Sequence, residues 1–185
     1  MKILGFVGSS RIEGNTDILV RQALSGAAAR GAQTNLFHLG KMDIKGCYGC
    51  DYCKSNKGCR VNDDMQAIYK EIYDSDAIII GSPIYMMQVS AQTKLLIDRL
   101  YAFRNLDSTI KIEPKKLMLI YTCRYPDPDV YKQYYELMDM LYRFLGLFQI
   151  KYSLTAGGTI NKGDIKNNIK IMELARTYGE KIVTD

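Results

Sequence analysis

Four cysteines within one short segment form the densest group of reactive side chains in the sequence. Two residues separate Cys47 from Cys50 and Cys50 from Cys53, and Cys59 follows after five more. Thiolates at successive two-residue spacing on one tight loop can reach three corners of a [4Fe–4S] cube, and Cys59 can supply the fourth ligand. The spacing therefore favours cubane iron–sulfur ligation.

Other interpretations of these cysteines stay open from the residues alone. Zinc sites usually take two separated pairs of ligands rather than three consecutive ones. The proline that follows the last cysteine of many ferredoxin motifs is replaced by Arg60. A zinc site, a set of redox thiols and inert cysteines are the alternatives to a cluster. Disulfides are not expected, because we predict a cytoplasmic protein.

A second candidate site follows the first apolar run, in the segment from Gly8 to Thr16. It offers small residues, hydroxyls, the guanidinium of Arg11 and free backbone N–H groups just before a predicted helix. Those groups suit a phosphate dianion. The segment has neither the Lys-Ser/Thr ending of a P-loop nor the spacing of a dinucleotide fingerprint, so it favours a mononucleotide. The alternative is a plain turn in which Asn15 or Thr16 caps the helix.

Five apolar segments alternate with amphipathic helical segments along the chain. The predicted strands are residues 3–7, 34–39, 77–80, 116–122 and 148–154. Helices are predicted from 16 to 30, after 62–63, from 91 to 103, after 129, and around 165–172. This alternation requires right-handed crossovers and a parallel sheet. We predict a single α/β domain over residues 1–185: a flavodoxin-like, doubly wound, five-stranded parallel sheet of order 2-1-3-4-5, with a cysteine-rich insertion at about residues 44–61 after strand 2.

In that strand order, the loops after the first and third strands lie side by side where the order reverses, and such sheets bind ligands there. The second loop begins at Gly81-Ser82-Pro83 and continues into Tyr85, Met86 and Met87. These side chains offer flat or polarizable apolar surface to a ring face. The alternative is that they are core or interface residues.

Together, these segments resemble the flavodoxin-like NAD(P)H-dependent FMN reductases. The resemblance rests on Gly8-Ser-Ser-Arg-x-x-Gly-Asn-Thr16, Gly81-Ser-Pro-Ile-Tyr85, Lys94 and Asp98-Arg99. It implies a bound FMN, with its phosphate held by the first loop, its isoalloxazine along the second, and the loop after the fourth strand closing the pocket. The residues implied are Ser9, Arg11, Asn15 and Thr16 for the phosphate, Pro83, Ile84, Tyr85 and Met86 for the ring, and Thr122 and Cys123 for the closing loop.

Cysteines in a compact group within such a chain resemble those of the iron–sulfur flavoproteins of anaerobic microbes. The resemblance implies that Cys47, Cys50, Cys53 and Cys59 hold a [4Fe–4S] cluster. It implies an oxidoreductase that passes electrons between the cluster and FMN, with a ferredoxin or NAD(P)H as electron donor. The alternatives are a clusterless NAD(P)H-dependent FMN or quinone reductase, and a flavin-binding module that senses metal or redox state. No side chain stands out as a catalytic acid or base.

Charge and hydropathy narrow the expected partners. The net charge of +5 is spread along the chain without a basic block, which argues against nucleic acid. No apolar run approaches the roughly 18 residues of a membrane span. The sequence enters a strand directly, so we expect no signal peptide and a cytoplasmic location. A cluster on a surface loop and an open pocket would both be exposed, so we expect a homodimer or homotetramer that covers them.

Overall fold

Apolar runs of the sequence form the strands of a central sheet, as burial on both faces requires. The structure is a computed structural model that describes residues 1–185. Its strands are β1 Lys2–Val7, β2 Gln33–His38, β3 Ala77–Tyr85, β4 Gln88–Val89, β5 Lys115–Thr122 and β6 Phe148–Ala156. Its α-helices are α1 Asn15–Ala29, α2 Tyr52–Ser55, α3 Met65–Tyr73, α4 Ala91–Arg99, α5 Lys132–Leu145 and α6 Ile169–Thr184.

The sheet has the order β2-β1-β3-β5-β6, and all four pairings along it are parallel. The two-residue strand β4 lies off this path and pairs antiparallel with the end of β3. Without β4, the order is the predicted 2-1-3-4-5, so the flavodoxin-like parallel sheet is confirmed. None of the helices combines the length and the hydrophobicity that crossing a bilayer requires.

Two apolar cores lie on opposite faces of the sheet, because successive side chains of a strand point to opposite sides. Leu4 and Phe6 of β1 belong to the core that packs against α3, α4 and α5. Ile3 and Val7 belong to the core under α1 and α6. Helices α1 and α6 cross with backbone in contact, since a Cβ at Gly179 would collide with a backbone carbonyl of α1.

The third strand is longer than predicted, and its predicted end at Gly81 is wrong. It continues to Tyr85, pairs with β5 as far as Pro83, and turns back through a two-residue hairpin into β4. Met86 and Met87 form that turn with φ values of 47° and 67°. Such turns usually carry Asn-Gly, which is absent here, so the residue types do not indicate a hairpin.

Two helix boundaries also differ from the prediction. Helix α4 ends at Arg99, and residues Leu100–Phe103 continue as a 3₁₀ turn. Ile165 lies in a separate 3₁₀ turn, Asp164–Asn167, and α6 begins only at Ile169. In the second case, the side chain of Asn168 caps α6 by accepting a hydrogen bond from the backbone N–H of Ile171, which fixes where the helix begins.

Candidate functional site

A cleft of about 430 Å³ opens where the carboxyl ends of β1, β3, β5 and β6 meet. Its volume lies within the range of roughly 300–1,000 Å³ common for small-molecule sites. The structure brings all of the predicted cofactor residues to this one cleft: Ser9, Arg11, Asn15, Thr16, Pro83, Ile84, Tyr85, Met86, Thr122 and Cys123. Their binding of FMN stays a prediction.

The cleft is also lined by three residues that were not predicted from the sequence: Arg124, Thr159 and Ile160. Arg124 directly follows the predicted closing loop. Thr159 and Ile160 follow β6, whose carboxyl end lies at the same edge of the sheet as those of β1 and β3. Parallel strands bind ligands at the edge where their carboxyl ends meet, and applying this rule to the last strand would have predicted that Thr159 and Ile160 form a wall of the cleft.

The first loop leads into the N-terminus of α1 without a side-chain cap. Gly14 is the N-cap residue, so neither Asn15 nor Thr16 caps the helix, contrary to the plain-turn alternative; the Asp17 carboxylate accepts a hydrogen bond from the backbone N–H of Glu13 at 2.7 Å. The exposed guanidinium of Arg11 contacts the carbonyl of Ile160 at 3.4 Å. Open backbone N–H groups, a positive helix end and an available guanidinium fit a phosphate group.

Two of the predicted phosphate residues are engaged within the protein. The hydroxyls of Thr16 and Thr122 are 2.7 Å apart and buried, which ties α1 to the end of β5. The Asn15 amide donates to the carbonyl of Asn161 at 2.8 Å and accepts from the backbone N–H of Ile165 at 3.1 Å. Asn15 therefore fixes the wall that follows β6, with both ends of its amide in use.

Hydrogen bonds hold the loop after β1 and the loop after β3 at a fixed separation. The Ser90 hydroxyl donates to the carbonyl of Gly8 at 2.7 Å, and its backbone N–H donates to the Ser82 hydroxyl at 3.1 Å. The N–H of Gly8 donates to the carbonyl of Gly81 at 2.8 Å. A Cβ at position 8 would collide with the hydroxyl of Thr93, so only glycine fits there.

The hairpin after β3 forms the apolar rim of the cleft. Ile84 is buried, whereas Tyr85 is 47% exposed and Met86 is 95% exposed. The turn holds Met86 and Met87 in the left-handed region, which costs on the order of 1–2 kcal/mol for each non-glycine residue. Strain of this kind commonly marks ligand-binding segments. An apolar rim next to a polar floor suits a planar ring that carries a phosphate tail.

Cys123 forms part of the opposite wall and is buried. Burial raises the pKa of its thiol, so the side chain is neutral at physiological pH. A neutral thiol is a poor nucleophile, which agrees with a place for Cys123 in the closing loop rather than in catalysis.

The four predicted metal ligands lie between β2 and α3, in a segment whose only regular element is α2. Cys53 is buried and Cys59 half-buried, whereas Cys47 and Cys50 are exposed. The segment supplies four thiols, the donor type and number that a [4Fe–4S] cluster requires. No three His, Cys, Asp or Glu side chains of the chain are close enough to hold a metal ion. The four thiols have the chemistry that a cluster needs, but they do not lie close together in this structure. Ligation by these cysteines therefore stays a prediction.

A buried ion pair that the sequence analysis missed fixes both ends of this segment. The guanidinium of Arg99 contacts the two carboxylate oxygens of Asp63 at 2.5 and 3.1 Å and donates to the carbonyl of Lys45 at 2.8 Å. Asp63 also accepts from the backbone N–H of Lys45 and of Met65. Burial alone would raise the pKa of Asp63, but these hydrogen bonds and the Arg99 charge hold it below its usual value.

Residues 1–123 match the family model described as NADPH-dependent FMN reductase. An iron–sulfur flavoprotein of Methanocaldococcus jannaschii is 44% identical over 99 residues, which cover 54% of this chain and 51% of the relative. An iron–sulfur flavoprotein of Methanosarcina thermophila is 33% identical over 111 residues, 60% of this chain and 58% of the relative. The matched part thus spans little more than half the length of these curated relatives.

Solved structures with similar folds cover nearly the whole chain. An NAD(P)H:quinone oxidoreductase from Methanothermobacter marburgensis has a TM-score of 0.73 at 16% identity, covering 98% of this chain and 94% of that one. An archaeal flavodoxin has a TM-score of 0.59 at 12% identity, covering 100% and 97%. At these identities, the likeness establishes the fold alone.

Proposed function

The chain belongs to the NADPH-dependent FMN reductase family, and we propose that it is an oxidoreductase that passes electrons between FMN and a [4Fe–4S] cluster. One observation carries the FMN half of the proposal: residues from three separate loops, chosen from the sequence, line one cleft of suitable volume. The cysteine spacing and the relatives named iron–sulfur flavoprotein support the cluster half.

The phosphate of FMN would bind at the N-terminus of α1. Arg11 supplies the charge, while the Ser9 hydroxyl and the uncapped backbone N–H groups supply hydrogen bonds. Thr16 lies one residue inside the helix and, through Thr122, holds the helix end against β5. Asn15 acts as a positioning residue, because both ends of its amide hold the wall after β6.

The isoalloxazine would lie along the hairpin from Pro83 to Met86. When bound, FMN supplies a redox centre that exchanges one or two electrons. Ile84 and the neutral Cys123 exclude water from the inner end of the cleft, and backbone groups after Pro83 can hydrogen-bond the polar edge of the ring. We assign no side chain as a catalytic acid or base.

Cys47, Cys50, Cys53 and Cys59 would hold the cluster. The Arg99–Asp63 pair fixes the ends of the segment, and between them only the four-residue helix α2 has regular structure. The thiols can therefore be gathered without disturbing the sheet.

The electron donor would be NAD(P)H or a small ferredoxin-like protein, and the assembly a homodimer or homotetramer. The exposed Tyr85 and Met86 at the rim of the cleft support an assembly that covers it. Light scattering at micromolar concentration tests this part. A monomer that carries both flavin and iron would contradict it.

The decisive experiment separates the two cofactors. Protein purified anaerobically with excess FMN is expected to show flavin absorbance, iron and acid-labile sulfide. Cys50→Ala should lose iron and keep FMN, whereas Arg11→Ala should keep iron and weaken FMN binding by about 1–3 kcal/mol. Cys123→Ser is the matched cysteine control and should keep its iron.

Each outcome bears on a different part of the proposal. Absence of flavin absorbance in excess FMN would refute the assignment of the cleft. Flavin without iron, together with reduction by NAD(P)H, would favour the clusterless FMN or quinone reductase, for which the match to the reductase family model is the supporting observation.

A further inference from the structure

A second cavity, of about 230 Å³, lies beside the cysteine segment and shares no lining residue with the cleft. Its walls include four apolar or aromatic side chains: Tyr69, Tyr73, Ala102 and Phe103. The rings of Tyr69 and Tyr73 meet the ring of Phe103 edge-on, with centroids 5.4 and 5.7 Å apart. Aromatic walls of this kind provide stacking and edge contacts for a planar ring.

Three lysines also line the cavity, and no acid is among the lining residues. Lys57 and Lys70 are exposed and form no side-chain hydrogen bond or salt bridge. The ammonium of Lys111 donates to the carbonyl of Cys53 and likewise contacts no carboxylate. The cavity therefore combines an apolar interior with a positive rim that the protein itself does not neutralise.

The same contacts that build this cavity hold the cysteine segment. Lys57 and Gly58 lie between Cys53 and Cys59 in the sequence. The amide of Gln66, which also lines the cavity, donates to the carbonyl of Cys59 at 2.8 Å and to that of Val61 at 2.6 Å. A ligand in the cavity would thus contact the residues that lie between two of the four cysteines.

We propose that this cavity binds a small aromatic carboxylate, one or two fused rings in size. The ring would pack among Tyr69, Tyr73 and Phe103, and the carboxylate would face the lysines at the rim. The volume, below the roughly 300–1,000 Å³ of typical ligand sites, excludes a dinucleotide. The inference does not depend on FMN binding, because the cavity and the cleft share no lining residue.

The test compares three probes by isothermal titration and saturation-transfer NMR, with FMN in excess to occupy the cleft. The probes are 2-naphthoate, its neutral isostere 2-naphthamide, and cyclohexanecarboxylate, which has the charge without the ring. We expect 2-naphthoate to bind about three- to tenfold more tightly than the amide, and this preference to shrink at high salt. Cyclohexanecarboxylate should bind more weakly than 2-naphthoate.

Matched variants locate the site. The double variant Lys57→Gln/Lys70→Gln should bind 2-naphthoate about three- to tenfold more weakly than wild type. Lys166→Gln/Lys170→Gln removes the same charge from two exposed lysines, one in the 3₁₀ turn before α6 and one in α6, and should leave the Kd unchanged because α6 packs on the opposite face of the sheet. Equal affinity for the acid and the amide, an equal Kd for the two double variants, or absence of saturation transfer would each overturn the proposal.

Discussion

Replacing Arg99 by methionine should destabilise the protein strongly. The guanidinium is buried and makes four hydrogen bonds: two to Asp63, one to the carbonyl of Lys45 and one to the hydroxyl of Tyr69. Removing one partner of a buried ion pair costs about 3–5 kcal/mol, because the other charge stays buried and uncompensated. Asp63 keeps two backbone N–H donors, so we expect about 3 kcal/mol. For 185 residues, this corresponds to a decrease in Tm of about 6–12 °C.

The assay is urea denaturation followed by far-UV circular dichroism, with the m-value checked for each variant. Arg176→Met is the matched control, since Arg176 forms an exposed helical pair with Glu180 and should change the free energy of unfolding by less than about 0.5 kcal/mol. Asp63→Asn/Arg99→Met removes the stranded charge and should recover part of the loss. If Arg99→Met and Arg176→Met had the same free energy of unfolding, the reasoning would be refuted.

The same pair predicts a pH dependence. The folded-state pKa of Asp63 lies below its unfolded value, so the carboxylate contributes stability above pH about 4 and loses it as the pH falls through the folded pKa. In Arg99→Met, burial would raise the pKa of Asp63, so its carboxylate would protonate at a higher pH than in the wild type. The difference in the free energy of unfolding between wild type and Arg99→Met should therefore shrink as the pH falls toward about 4 and below it. A difference that grew in acid would contradict this assignment.

Three further predictions concern the elements around the cleft. Gly179→Ala should lower the free energy of unfolding by about 1–3 kcal/mol, because its Cβ would force α1 and α6 apart, whereas Gly46→Ala, whose Cβ would meet only the Leu95 side chain at an ordinary 3.9 Å, should have little effect in the same urea titration. Replacing Met86 by Asn and Met87 by Gly should raise Tm, since these residues suit the positive φ values of the turn; an unchanged Tm would mean that the turn is unstrained. Asn15→Ala should lower the free energy of unfolding by about 1–3 kcal/mol and speed amide hydrogen exchange in the loop after β6. Unaltered exchange there would show that the loop is held by other contacts.

The sheet and the position of the cleft were predictable, because both depend on local patterns and one general rule. Apolar runs such as Ala77–Ile80 identified the strands, and their alternation with helices fixed a parallel order. The order then placed the loops after β1 and β3 side by side. The family match over residues 1–123 confirms the resemblance that those loops indicated.

The features that were missed depend on contacts between distant residues or on strained backbone. Asp63 and Arg99 are 36 residues apart, so no local pattern in the sequence indicates that they pair. The hairpin at Met86-Met87 carries none of the residues that usually mark such a turn. The hydrogen bonds at both ends of the Asn15 amide can be predicted only when the position of a loop about 150 residues away is known.

The lining of the cleft is divided between two parts of the chain that differ in their similarity to known proteins. The phosphate loop, the hairpin and Cys123 fall within the match to the family model, whereas Thr159 and Ile160 lie beyond it. Arg11 and Asn15 hydrogen-bond to the wall after β6, so substitutions in that wall act on the entrance to the cleft and on its phosphate end together. A protein that shares only the matched residues therefore need not share this wall of the cleft.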